Sequence, residues 1–224
     1  MKQHQHTCGL RVWDQVGFSL IEVLVVLAIS SVVILAVYNL YIDQINSANA
    51  QEKILAMRQN LRVGHFVIGR ELMKAGYSSQ LTDEETPGFT QAEKSALAFT
   101  YVDDTSEDEV TVSFYFEDNT IYRKIDDADA SIIAEGIEYL EFMYHLKDAS
   151  ASWAPSATNL DEIIGVTVSI LGRTGNALSD YPNTYTFEFP NPDGETENTL
   201  TYSSDGFYRQ LCTGFFECRN MAAN

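Results

Sequence analysis

The chain has 224 residues, with 32 Asp and Glu against 14 Lys and Arg, and a formal net charge of −18 at pH 7. A balance this acidic argues against nucleic-acid binding, which draws its affinity from basic surface and counterion release. No P-loop and no nucleophile-elbow pattern occurs, so the reading is of a structural rather than a catalytic chain, with no cofactor and no metal expected.

In residues 1–17, Lys2 and Arg11 outweigh Asp14, and the positive-inside rule keeps this end in the cytoplasm. His4 and His6 form half of a metal site without further ligands nearby, a pattern better explained by chance. From Val23 to Ile42 there is no formal charge over about 20 residues, about 30 Å as a helix and enough to span the hydrocarbon of a bilayer. Glu22 stands at the head of that run. A carboxylate in the middle of such a helix costs about 2.5 to 3.5 kcal/mol, so Glu22 needs a compensating partner. A secretory signal peptide fits poorly, because Tyr38-Asn39-Leu40-Tyr41-Ile42 offers no small-residue cleavage site after the apolar run.

The stretch from Val16 to Ile29, opening Gly17-Phe18-Ser19-Leu20-Ile21-Glu22, strongly resembles the processing site of type IV prepilins and type II secretion pseudopilins. That resemblance implies a leader, residues 1–17, removed between Gly17 and Phe18 by the prepilin peptidase, and N-methylation of the new terminus at Phe18. Residues 18–42 are then the single transmembrane helix and filament core. Glu22 would pair with the cationic amine of a neighbouring subunit, neutralising two charges that neither subunit buries cheaply alone. Gly17, lacking a side chain, suits close approach of the peptidase backbone.

Helix-compatible sequence continues without proline from Phe18 to about Ala75, some 58 residues or roughly 87 Å. Over residues 43–77 it is amphipathic, with Ile54, Met57, Leu61, Gly64, Ile68, Leu72 and Ala75 on one stripe and Arg58, Arg62, Arg70 and Lys74 off it. The stripe predicts packing on a folded head, Gly64 allowing a sheet to approach closely, and Gly76 reads as a C-cap. A polar connection, Tyr77 to about Lys94, contains the acidic run Asp83-Glu84-Glu85.

Strands are predicted over Leu97–Val102, over Val110–Phe116 and Thr120–Ile125 as a hairpin around Glu117-Asp118-Asn119, and over Gly136–Leu146 and Ile163–Leu171. Shorter candidates are Tyr185–Phe189 and Phe207–Leu211, between Pro and Gly turns. The acidic runs Asp103-Asp104, Glu107-Asp108-Glu109 and Asp126-Asp127 with Asp129 read as solvated loops. Asp127, Asp129, Ser131 and Glu138 hold positions 1, 3, 5 and 12 of an EF-hand-like loop, but Ile132 replaces its required glycine, so chance explains the spacing better than calcium. His65 and His145 carry ordinary structural or surface roles. With Cys8 removed in the leader, two cysteines remain in an exported chain, which points to a Cys212–Cys218 disulfide. In a straight strand those sulfurs lie about 20 Å apart, so the bond requires Gly214 to turn the chain; two free, buried thiols are the alternative.

The predicted fold is α+β: a long N-terminal helix packed on an antiparallel β head, residues 78–224. Leu61–Phe66 with Gly69–Tyr77, then Gly136–Phe142, Val166–Leu171, Asp205–Arg209 and Arg219-Asn220, resemble PilW-type minor pilins. The resemblance implies the type IV pilin-like fold and a part in pilus assembly, in a priming or tip complex. Its partners would be other minor and major pilins through helix bundling, the prepilin peptidase and the inner-membrane assembly platform. The location implied is the inner membrane with a periplasmic head, then the pilus. A J-type pseudopilin of type II secretion shares the anchor, the long helix and a large β-rich head, and is the alternative; a pilin-anchored ligand-binding or adhesive head is a third reading.

Overall fold

A computed structural model describes residues 17–78, 87–155, 159–178, 184–192, 198–203 and 205–222. His4, His6, Cys8 and the Asp83-Glu84-Glu85 run lie outside the described residues. The chain divides into two compact units, Met1–Ala48 and Asn49–Asn224.

In the first unit the described residues are the start of helix α1, Leu20–Leu72. Its apolar side chains stand exposed, Leu20 by 78%, and α1 is long and apolar enough to cross a membrane. Ser31 donates its hydroxyl to the Ala28 carbonyl at 2.8 Å, which satisfies a polar group that lipid would leave unpaired.

The second unit begins with the C-terminal part of α1. Met57, Leu61, Gly64, Ile68 and Leu72 are buried there, as is Ala75 beyond the helix, while Ile54 is only half-buried. The helix ends at Leu72, and a turn carries the chain to Gly76, whose φ of +73° is a backbone shape that glycine adopts without strain.

Among the described residues eleven strands follow, all antiparallel: β1 Phe89–Ala92, β2 Ala96–Val102, β3 Glu109–Glu117, β4 Thr120–Ile125, β5 Ser131–Glu135, β6 Ile137–Leu146, β7 Ala151–Ser152, β8 Ile163–Arg173, β9 Tyr185–Glu188, β10 Thr199–Tyr202 and β11 Arg209–Glu217. A short helix α2, Arg219–Ala222, closes the described chain. β1 to β5 form a meander in sequence order; β11-β8-β6-β7 form a second sheet; β9 and β10 form a separate hairpin. The predicted hairpin is β3–β4, where Asp118 and Asn119 both take positive φ, the geometry of a tight two-residue turn.

Gly64 sits where the two larger sheets meet the helix. A methyl group there would lie 3.1 Å from Ala134 of β5 and 3.7 Å from Ile121 of β4 and Ile170 of β8. One core joins α1 to both sheets, with Phe99, Phe114 and Ile121 from the first and Phe142, Tyr144 and Ile170 from the second. Each such side chain contributes about 1.5 to 3 kcal/mol by leaving water.

β11 extends well past the predicted Phe207–Leu211 and pairs with β8 without a bulge, from Arg209↔Arg173 to Glu217↔Gly165. That continuity corrects the expected Cys212–Cys218 disulfide. Both cysteines are free, Cys212 half-buried within the strand and Cys218 buried just beyond it. An unbroken strand holds six-residue neighbours far outside disulfide reach.

Candidate processing and assembly site

Gly17, Phe18 and Ser19 precede the helix in irregular backbone. The Ser19 carbonyl accepts from the amides of Glu22 at 3.0 Å and Val23 at 3.2 Å, so Ser19 is the last residue outside α1 and Glu22 lies in its first turn. Serine at the cap and glutamate three residues on is the spacing of a capping box. The first turn also presents unpaired N–H groups and the positive end of the helix dipole, which favours a carboxylate there. Glu22 is exposed, and among the described residues no ion pair engages it. A side chain added at Gly17 meets nothing within 4 Å. Among the described residues nothing places a steric demand for glycine at 17.

Residues 15–38 match the family model described as the prokaryotic N-terminal methylation motif. At this end the chain carries that motif. Among solved structures, a type IV-like pilin from Thermus thermophilus is similar over 74% of this chain and 97% of its own, with 12% identity and a TM-score of 0.49. A comparison with curated proteins finds no match.

The candidate residues of the head are dispersed. Ser131 donates to the Arg123 carbonyl at 3.1 Å, Glu138 pairs with Arg209 and Arg173, and Asp127 and Asp129 are exposed, so the EF-hand-like positions do not converge. Among the described residues no group of three or more His, Cys, Asp or Glu is placed to hold a metal ion. His65 lies against Phe216 with ring centres 4.9 Å apart, and burial lowers its pKa from 6.5. His145 meets the Thr167 hydroxyl at 2.7 Å and the edge of Phe215, and burial lowers its pKa as well. Burial pushes the Cys212 thiol up and the Cys218 thiol to about 12.

Three charged centres in the head escaped the sequence reading. Glu71, 1% exposed, sits among Arg123 at 3.0 Å, Lys74 at 2.9 Å and Arg70 at 3.2 Å. Burial pushes its carboxyl up, but the three cations outweigh burial and hold it below the ordinary value. Arg209 at the start of β11 is gripped by Glu138 and by both oxygens of Asp205, whose pKa falls to about 2 under those hydrogen bonds. Glu141 of β6 is buried among polar donors. The available signal was a carboxylate inside an otherwise aromatic and aliphatic strand, and a glutamate flanked by basic residues at i−1 and i+3.

Proposed function

We propose that this chain is a minor pilin, PilW-like, that takes part in type IV pilus assembly in a priming or tip complex. The carrying observation is the methylation motif, with Gly17-Phe18 open ahead of the helix and Glu22 in its first turn. Gly17 lies within the matched motif and, lacking a side chain, admits close approach of the prepilin peptidase backbone. Cleavage after Gly17 exposes the amine of Phe18, which is then methylated. The processed chain waits in the inner membrane through residues 18–42, with its head in the periplasm. Glu22 then accepts the Phe18 amine of an adjoining pilin as the apolar helices bundle, and the chain enters a short complex built on the assembly platform. Its work is structural.

Mass spectrometry of membrane-extracted protein from cells with working pilus machinery tests this reading. The expected mass is that of a chain beginning at methylated Phe18, and Gly17→Glu should leave the leader in place. A chain that keeps Met1 in such cells would overturn the assignment. Deletion, scored separately for surface pili and for exoprotein secretion, should reduce pili alone; loss of secretion alone would move the chain to a secretion pseudopilus.

A further inference from the structure

Glu141 is 1% exposed and draws donors from four separate places in the head. Lys94 Nζ lies 3.2 Å from Oε2, the Tyr139 hydroxyl donates at 2.9 Å, and Trp153 Nε1 donates to Oε1 at 3.0 Å. The carboxamide nitrogen of Asn198 donates to both oxygens, at 3.1 and 3.2 Å, and to the Pro190 carbonyl at 3.3 Å. A primary amine and a carboxamide nitrogen thus share one carboxylate oxygen, each within hydrogen-bond reach of it. Aromatic groups wall the cluster: Lys94 Nζ is 4.3 Å from the centre of the Trp153 ring, and Phe189 packs on Tyr139 at 4.9 Å.

The backbones that carry the two nitrogens are also fixed. Phe142 N donates to the Lys94 carbonyl at 2.8 Å, and the buried Tyr144 hydroxyl bonds the carbonyls of Glu93 and Ala96 on either side of that turn. Phe189 N donates to the Asn198 carbonyl at 2.8 Å. Groups held this way, both against Glu141, are spared much of the entropy cost of a bimolecular encounter.

We infer that Lys94 and Asn198 become joined by an isopeptide bond that the chain forms itself, with Glu141 moving the protons. Glu141 takes a proton from the Lys94 ammonium, and the neutral amine attacks Cγ of Asn198. Glu141 then hands its proton to Nδ2 and takes the second proton from Nζ. The carbonyl reforms, the Cγ–Nδ2 bond breaks, and ammonia leaves, accepting the last proton as ammonium. Ammonium and carboxamide go in, amide and ammonium come out, and nothing is oxidised or reduced. Burial favours the neutral amine of Lys94, but Tyr139 and Glu141 outweigh burial and hold its pKa above the ordinary lysine value, so the attacking form is scarce at pH 7. Bond formation is therefore slow after folding and faster in alkali. The product ties the β1–β2 turn to the residue just before β10, a covalent clamp across the head in a chain whose described cysteines are free. It does not depend on the pilus reading.

The test is tryptic mapping of the full chain extracted from membranes, before and after native incubation at about pH 9, where the amine is less protonated. The expected result is one joined pair of peptides, linked at Lys94 and Asn198, about 17 Da lighter than the two together because ammonia is lost. Cleavage after Lys94 should be absent in that fraction. An Asn198 succinimide loses the same mass but leaves the peptides separate, and that outcome would overturn the bond. Glu141→Gln should abolish the link, and Lys94→Arg, which keeps a cation over Trp153, should abolish it in a folded head. Full recovery of unlinked Lys94 and Asn198 peptides from folded wild type after alkaline incubation would overturn the proposal, as would a link that survives Glu141→Gln.

Discussion

Gly214 of β11 faces the imidazole of His65 so closely that an added methyl group would lie 2.5 Å from two ring atoms. The reciprocal contact is Gly69 on α1, where a methyl group would collide with the ring of Phe216. Small residues on both elements let strand and helix touch, and overfilling such a contact costs about 1 to 3 kcal/mol. Gly214→Ala should therefore lower the melting temperature, by about 2 to 4 °C for each kcal/mol in a chain of this size. An unchanged melting temperature would mean that His65 rotates away freely. Glu22 obeys a different logic, because it is exposed within its own chain and its proposed partner belongs to another. Glu22→Ala should leave membrane insertion intact and cleavage after Gly17 normal, yet abolish incorporation into pili; immunogold labelling of sheared filaments at wild-type density would remove its pairing role.

Among the elements, β11 departs most from the sequence reading, and the reason lies in its partners. Taken alone, Cys212-Thr213-Gly214 looks like an interruption. In the fold, β8 pairs with every residue from Arg209 to Glu217, and the glycine is wanted for the helix that crosses it. The thiols then have distinct behaviour. Denaturing alkylation without reductant should label both Cys212 and Cys218, whereas native alkylation should spare Cys218, whose pKa near 12 and complete burial leave almost no accessible thiolate. A disulfide-linked peptide in the same map would refute the unbroken strand. Long α1 and strands β2, β3, β4, β6 and β8 were legible because their periodicity runs over six or more residues. β1 and β5 were not: Phe89-Thr-Gln-Ala is too short to show alternation, and Ser131–Glu135 hides behind an acidic turn. The methylation motif over residues 15–38 was legible because it is local. The Glu141 cluster was illegible because it assembles from residues far apart in sequence; around Glu71 the flanking Arg70 and Lys74 were visible, but its burial and its contact with Arg123 come from the sheet.

At the scale of the whole head, stability depends on pH through groups on both faces of the second sheet. His65 meets β11 from the helix side and His145 meets Phe215 of the same strand, and desolvation lowers both pKa values below 6.5. A histidine depressed in this way is more protonated in the unfolded chain between its folded pKa and 6.5. Its contribution is fully present above 6.5 and is lost as the pH falls through that window. The carboxylates act later: Asp205, lowered to about 2 from 3.8 by Arg209, keeps its contribution above 3.8 and loses it toward pH 2. Acidification also neutralises a chain of net charge −18, which relieves self-repulsion and opposes the histidine effect. The absolute stability curve therefore mixes two opposing slopes, and only a difference isolates the imidazole. Between pH 7 and pH 5, wild type should lose melting temperature relative to His65→Gln, because both share the same carboxylates while only one carries the buried ring. Parallel curves across that interval would show that the ring of His65 takes up its proton in the folded head as readily as in the unfolded chain.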